Sequence, residues 1–471
     1  MIKVFVALLT LFSAVVLIYF FSLNLFYILF TVLSLSGLIN HQRNITYVTL
    51  RDIFRLPLVK PFSVIVPAYN EEKTIIESVR SFLSLEYPVY EIIVVNDGSR
   101  DATLEKLIRH FRLEKSKRVF RRVLQTEKIR GIYLSPSEPR LLVVDKENGG
   151  KADALNAGLN ISRYPLFCAV DSDSLLERDA LLKMVRPFLE NPEQVVAAGG
   201  VIRLSNGCRV EGGQVKEVRL PRNLLARFQI VEYLRAFLGG RLGLSMLRSL
   251  LIISGAFGAF RKDVVLECGG YRSGTVGEDI DLVVRLARHL HDKKRPFIVR
   301  FIPDPICWTE APETLKLLSR QRNRWHRGLI ETMSYNKKML FNPHYGLTGL
   351  FALPFYFIYE MLGPLIEAAG YVFLLISGLL GLLNYPFALL FFLLAIFMGV
   401  MVSMMSVLIS EYSWHRYPRL PDLLNIILFS LLENLFYRQY LALVRARAFG
   451  DYFRGVRTWG EMTRKGFSGA K

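Results

Sequence analysis

Phe62-Ser63-Val64-Ile65-Val66-Pro67 runs straight into Ala68-Tyr69-Asn70-Glu71, an apolar stretch of strand length that stops abruptly in polar, turn-forming residues. The pattern recurs three times. Tyr90 to Val95 ends in Asn96-Asp97-Gly98-Ser99, Leu141 to Val144 in Asp145-Lys146, and Leu166 to Val170 in Asp171-Ser172-Asp173. Helical patterns over Glu72 to Leu85 and Ala102 to Phe111 separate the first runs, and this alternation predicts a parallel sheet covered by helices. Open α/β sheets bind ligands beyond the carboxyl ends of their strands, so the four polar clusters are expected to converge on one crevice. Any one cluster also reads as an ordinary turn; four at equivalent strand ends mark a site.

Outside this core the chain is apolar. Of 471 residues 52% are hydrophobic, and the formal charge is +19. Such a charge suits nucleic acid, but Lys and Arg flanking long apolar segments are equally what membrane topology demands, and a nucleic-acid binder would leave the carboxylate clusters unexplained. The four cysteines, Cys168, Cys208, Cys268 and Cys307, are far apart with no CxxC pair, which argues against a zinc site or a disulfide framework.

The segments then fall into order. Residues 1–40 form an N-terminal membrane anchor, because Val4 to Asn40 is almost uncharged and far longer than a signal-peptide core. Two arrangements fit its length: one long tilted helix, or a tight hairpin near Ser22 to Asn24. Residues 41–342 have soluble-domain composition, and Arg43, Arg51, Arg55 and Lys60 mark that flank as cytoplasmic. Residues 343–445 hold further membrane and interfacial helices, with apolar regions over Tyr345 to Ile409, interrupted at Asn384-Tyr385-Pro386, and Leu423 to Val444. Residues 446–471 form a basic tail carrying Arg447, Arg454, Arg457, Arg464 and Lys465, again cytoplasmic. That topology requires an odd number of passes in the middle region or one segment along the interface. Pro354, Glu360, Pro364 and Glu367 point to the stretch before Tyr371 as flat or broken.

Asp171 and Asp173 straddle Ser172 after a buried-looking strand, placing hard oxygen ligands suited to Mg²⁺ or Mn²⁺ at the mouth of the crevice. Glu147-Asn148-Gly149-Gly150-Lys151-Ala152-Asp153 lacks the spacing of an ATP-binding phosphate loop, yet its glycines permit close backbone approach and Lys151 offers a charge for a diphosphate where a helix over Ala152 to Leu159 begins. Asp279 opens the apolar-periodic Ile280-Asp281-Leu282-Val283-Val284-Arg285-Leu286, a position that suits a first-turn acid as well as a base. Arg222 to Leu251 reads either as an amphipathic helix at the bilayer or as a core helix. Lys115 to Arg140, rich in basic residues, reads as a docking loop or, more simply, a surface excursion.

Six motifs in one order, Val64 to Glu71, Asn96 to Ser99, Gly150 to Asn156, Asp171 to Asp173, Gly277-Glu278-Asp279 and Gln321-Arg322-Asn323-Arg324-Trp325, resemble family 2 inverting glycosyltransferases. The resemblance covers about residues 60 to 330 and is narrower toward the processive membrane synthases of poly-N-acetylglucosamine, hyaluronan and cellulose. It implies a GT-A fold, an α/β domain with a Rossmann-like mixed sheet, inserted between transmembrane helices. It implies a UDP-sugar donor contacted by Pro67, Tyr69, Glu71, Asp97, Lys151, Asp171, Gln321, Arg324 and Trp325, and a divalent metal held by Asp173 and Asp171. Asp279 would be the catalytic base, with Glu278 beside it. Ser254, Gly255 and Trp308 fall near the acceptor. Gly277 departs from the family's usual Thr-Glu-Asp, and Asn96 from its Asp-Asp-Gly-Ser.

The function implied is transfer of sugar, UDP-N-acetylglucosamine being the favoured donor, to a growing β-linked polysaccharide that passes through the bilayer of a bacterial-type inner membrane. Alternatives are a transferase adding one sugar to a lipid-linked acceptor, and a catalytically silent scaffold. A glycan acceptor and the bilayer are the partners expected, without nucleic acid, and regulation would come from a separate subunit.

Overall fold

The computed structural model describes residues 2–47, 59–381, 384–414, 417, 419–456 and 466. Arg51, Arg55, Arg457, Arg464 and Lys465, read above as flanking charges, lie outside the described residues.

The strands in chain order are β1 (Phe62–Ala68), β2 (Tyr90–Asp97), β3 (Glu114–Ser116), β4 (Ile129–Leu134), β5 (Leu141–Lys146), β6 (Leu166–Val170), β7 (Ser174–Leu176), β8 (Val195–Leu204), β9 (Arg209–Glu211), β10 (Gln214–Glu217), β11 (Phe257–Arg261) and β12 (Ile298–Thr309). Ten form one sheet in the order β3-β4-β5-β2-β1-β6-β11-β8-β12-β7, and β9 pairs with β10. The four strands expected from sequence, β1, β2, β5 and β6, are its parallel centre. They are buried throughout, as strands covered on both faces must be. Pro67 sits in β1 beyond the last residue paired to β6, so its missing N–H costs the sheet nothing there. Antiparallel β4 and β11 flank this centre and make the sheet mixed. The Lys115 to Arg140 insert therefore differs from a plain excursion, because it supplies β4 and the end of β3.

Among the described residues four helices are long and apolar enough to cross a membrane: Leu11–Arg43, Thr348–Leu379, Tyr385–Trp414 and Leu420–Phe453. The N-terminal segment is one continuous helix, Ile2–Tyr47, and the hairpin is excluded. Ser22 and Asn24 return their side chains to the Tyr19 and Phe20 carbonyls of the same helix instead of turning the chain. Thr348–Leu379 runs antiparallel to it, Phe355 on Phe30, Tyr359 on Tyr19 and Phe373 on Phe12, with a bend at Leu362 just before Pro364. Asn384 caps the returning helix by accepting the Phe387 N–H at 3.0 Å.

The fourth long helix makes polar contacts along its length. Arg419 lies 3.3 Å from Glu217 and Asp451 2.8 Å from Asn323, while Asn425 meets Arg227 at 3.1 Å and Glu433 meets Arg235 at 2.8 Å. The segment Leu224 to Met246, one unbroken helix with a π-helical turn at Arg235–Arg241, fills the space between the sheet and the membrane helices. Gly239 approaches Ser406 on one side and Gly243 approaches the Phe30 backbone on another, so two of the long apolar helices pack closely on this segment. His41, near the foot of the first helix, meets Asp304 of β12 at 2.6 Å.

Candidate active site

The crevice forms where predicted, at the carboxyl ends of the central strands, and hydrogen bonds stitch its polar clusters together. The β1 and β2 turns are joined by Asn70 N–H to Ser99 Oγ (3.0 Å), Arg100 N–H to Asn70 Oδ1 (2.8 Å) and Glu71 N–H to Thr103 Oγ1 (2.8 Å). Asn70 adopts a left-handed backbone, φ 57°, which asparagine tolerates better than most residues. Tyr69 next to it is exposed at the rim, while Pro67 is buried beneath.

Asp97 has a different part from direct donor contact. Its Oδ1 accepts from Lys146 Nζ (2.6 Å) and Gly149 N–H (3.0 Å), and its Oδ2 from Gly150 N–H (2.8 Å) and Asn148 Nδ2 (3.1 Å). Four donors fill the roughly four lone-pair positions of a carboxylate. The glycine amides that the sequence offers to a diphosphate are thus spent on Asp97, which shapes the loop ahead of Lys151. Lys146, fully buried, also pairs with Asp153 at 2.5 Å. It belonged to a polar cluster in the sequence, but nothing there distinguished an anchor from a turn residue.

Around Lys151 the acidic motifs meet. Its Nζ lies 2.7 Å from Asp171 Oδ1 and 3.0 Å from Glu278 Oε1. Burial opposes the charge on Lys151, but Asp171, Glu278 and Asp279 outweigh it and raise its pKa. Burial pushes the Glu278 carboxyl up, and repulsion from Asp279 adds to this against the pull of Lys151. Glu278 is buried and paired with Lys151, whereas Asp279 is partly open. Asp279 Oδ2 accepts the Gly255 N–H at 3.0 Å and Oδ1 that of Ile280 at 2.8 Å, so the base candidate is fixed by backbone at the start of the Glu278–Asp292 helix. A Cβ on Gly255 would fall 2.9 Å from Lys151 Nζ and 3.4 Å from Asp279 Oδ2, so a side chain here would push on the lysine. Ser254 lies beside it, partly open.

Asp171 is partly exposed at this mouth and Asp173 is buried behind it. Among the described residues no group of three or more His, Cys, Asp or Glu gathers as a metal cage. Two carboxylates leaving the remaining positions to phosphate and water are the donor set that Mg²⁺ ordinarily takes.

The helix Leu315–Tyr335 closes the opposite side. Gln321 is buried and accepts from Arg322 Nη1 at 2.8 Å, Arg324 is half-buried, and Trp325 is 44% exposed. Arg322, between the signature positions, is buried rather than solvated; it pairs with Glu232 at 2.7 Å and lies 4.2 Å over the Trp325 ring. Glu331, which sequence reasoning passed over, accepts from Thr275 Oγ1 (2.7 Å) and Val276 N–H (3.0 Å), holding the loop before Asp279. Its signal was helical spacing, since Arg324, Gly328 and Glu331 fall at i, i+4 and i+7 on one face.

Trp308 is corrected. It is 1% exposed, its Nε1 donates to Glu177 at 2.8 Å, and it packs with Leu175 and Cys208. The period-2 alternation of β12 turns this ring into the core, away from the acceptor side.

Trp325 faces a cavity of about 240 Å³ between the α/β domain and the long apolar helices. Tyr27, Tyr356, Glu360, Glu367 and Arg445 are among the residues that line it. Glu360 accepts from Tyr27 at 3.1 Å, so this carboxylate faces protein and not lipid.

The family profile described as Glycosyl transferase family 2 matches residues 63–268, and Glycosyl transferase family group 2 matches residues 166–405, just over half of the chain. Poly-beta-1,6-N-acetyl-D-glucosamine synthase of Staphylococcus epidermidis is 29% identical over 276 residues, 58% of this chain and 56% of that protein. The synthase of the same name from Staphylococcus aureus strain COL is 27% identical over 270 residues, 57% and 54% of the two chains. The matched region thus spans about half the length of these curated relatives. The mannosyltransferase PcManGT from Pyrobaculum calidifontis, solved with GDP-Man and Mn²⁺, superposes with a TM-score of 0.51 at 17% identity, covering 88% of this chain and 99% of that one. The domain has the GT-A-like mixed sheet of these enzymes, and the chain belongs to glycosyltransferase family 2.

Proposed function

We propose that the chain is an inverting glycosyltransferase that moves sugar from a UDP-sugar, UDP-N-acetylglucosamine being favoured, to a growing β-linked polysaccharide. The observation that carries this reading is the meeting of Asp279, Gly255, Lys151, Asp171 and Glu278 in one crevice whose far wall, Trp325, opens on the membrane-side cavity. Inversion is a single displacement, so it needs one base and neutralisation of the departing diphosphate. Asp279 takes the proton of the acceptor hydroxyl as that oxygen attacks the anomeric carbon. Its two backbone hydrogen bonds orient the carboxylate and leave capacity for that proton. Lys151 supplies a fixed positive charge, with Glu278 holding it in place. Asp171 and Asp173 would hold Mg²⁺ or Mn²⁺, which when bound supplies further charge stabilisation to the leaving group. Trp325 offers an aromatic face for a sugar ring, held flat by Arg322.

The domains at 1–40, 41–342, 343–445 and 446–471 follow from this reading. Three long helices cross the bilayer, and Leu420–Phe453 lies along the α/β domain, which leaves both the domain and the tail on one face, the cytoplasmic one. The cavity beyond Trp325 supports passage of the product between the membrane helices. The names of the staphylococcal relatives support poly-N-acetylglucosamine as that product.

Purified protein in nanodiscs with Mg²⁺ or Mn²⁺ is tested for UDP release against a panel of UDP-sugars, the product being sized, with Asp279→Asn as control. Release coupled to a high-molecular-weight polymer and lost in the variant supports the proposal. A product one sugar longer points to a lipid-linked acceptor. No turnover with any donor returns the weight to a silent scaffold.

A further inference from the structure

A second cavity, about 310 Å³, lies at the opposite end of the sheet from the crevice. Glu91 and Asp97 mark the two ends: both belong to β2, six positions apart, which at strand rise is roughly 20 Å. The cavity is lined by Arg118, Arg140 and Arg163, by Glu91, and by Leu134, Pro139 and Leu142. Nothing in the transfer chemistry above uses these residues.

Each guanidinium is tethered by at least one hydrogen bond. Arg163 gives its Nε to Glu91 Oε2 at 2.9 Å, while Glu91 Oε1 is taken by Ser63 Oγ (2.8 Å) and the Arg163 N–H (2.7 Å). Arg140 reaches the Tyr90 hydroxyl at 2.6 Å and the Leu83 carbonyl at 3.2 Å, and Arg118 the Ile161 carbonyl at 3.2 Å. Glu91, 2% exposed, is the carboxylate of the cleft, and its lone pairs serve to hold Arg163. Among the described residues Arg118 has no carboxylate within salt-bridge distance, and burial together with the neighbouring Arg163 lowers its pKa despite Glu91. Three cations thus converge on one concave surface, with Glu91 committed to Arg163 and Glu138 lying 3.7 Å from Arg140.

From this cleft we infer a binding site for the phosphoryl group of a small phosphorylated ligand, with the guanidiniums of Arg118, Arg140 and Arg163 on the phosphate and Leu134, Pro139 and Leu142 against its less polar part. Planar guanidinium forks suit bidentate phosphate contacts, and tethering them beforehand lowers the entropic cost of binding. The site is separate from the donor crevice. Its ligand contacts the basic insert and the turn after the Lys151–Ile161 helix together, through Arg118 and Arg163.

The test titrates inorganic pyrophosphate calorimetrically into full-length, detergent-purified Lys151→Gln protein, in which the crevice has lost the cation between Asp171 and Glu278. Saturable binding is expected there, and adding Arg118→Gln, which removes only one carbonyl contact from the fold, should weaken it at least about tenfold. Arg140→Gln should act in the same direction, with unchanged thermal unfolding showing that the fold survives. Absence of binding in the Lys151→Gln protein, or binding indifferent to both arginine substitutions, overturns the site. Repeating the titration in nanodiscs of neutral and of anionic lipid identifies the source: pyrophosphate displaced by anionic lipid assigns the site to a headgroup, and undiminished binding assigns it to a soluble ligand.

Discussion

Gly277 and Gly328 meet backbone to backbone: a Cβ on either would come within 2.7 Å of the other's Cα. This contact presses the start of the base helix, Glu278–Asp292, against the helix that carries Arg324 and Trp325. It gives a physical reason for the departure at Gly277, where the family's usual threonine would have no room. Gly277→Thr and Gly328→Ala should each drive the two helices apart. Overpacking of this kind costs about 1 to 3 kcal/mol, and a misplacement approaching 1 Å can cost roughly 10²-fold in rate. UDP release by the folded variants should fall far more than their unfolding temperature; activity near that of the parent protein would contradict the packing argument.

Glu232 joins the interfacial helix to the acceptor side. It accepts from Arg322 at 2.7 Å and from the Tyr437 hydroxyl at 2.7 Å, and Arg445 lies at 3.7 Å. Burial alone would lift its pKa, but Arg322 and Arg445 outweigh this and lower it. Removing one partner of a buried pair costs about 3 to 5 kcal/mol. Glu232→Ala should therefore lower the unfolding temperature clearly, and Glu232→Gln, which keeps the shape, should lower it less while loosening Arg322 from Trp325. The readout specific to Trp325 is product length, expected to shorten in Glu232→Gln.

Lys151 neutralises two carboxylates at once. Lys151→Met leaves Asp171 and Glu278 without that cation, so Glu278 should protonate more readily still. Weaker UDP binding and a higher metal requirement are expected. Asp279→Asn should instead leave UDP binding intact and reduce turnover by roughly 10² to 10⁴, the usual contribution of a general base. Equal loss of binding in both variants would refute the division of roles.

His326, 4% exposed and with its ring centroid 5.3 Å from that of Phe449, is held neutral: burial, then Arg445, brings its pKa down to about 3. Unfolded, it titrates near 6.5. The unfolded chain therefore binds the extra proton between those values, so stability from this group is complete above about pH 6.5 and is lost as pH falls toward 3. The full difference corresponds to roughly 4 to 5 kcal/mol. His326→Phe should flatten the acid side of the plot of unfolding temperature against pH; an unchanged acid limb would count against a neutral His326.

By itself the sequence determined the parallel strands, their polar ends and the order of the motifs, because buried strand centres demand continuous apolar runs and turns demand polar residues. Phe62–Ala68 and Leu166–Val170 were legible for that reason, as were Asp171, Lys151 and Asp279 as members of one crevice. What only the tertiary structure decided is which neighbour each polar group faces. Asp97 became a loop anchor, Arg322 a buried cation and Trp308 core, since register, helix phase and distant partners such as Glu232 set burial. The fourth long helix is apolar enough to cross a bilayer, and only the tertiary structure shows its polar contacts with the rest of the chain, from Arg419 to Asp451. Hydrophobicity records that a surface must be covered; packing chooses whether lipid or protein covers it.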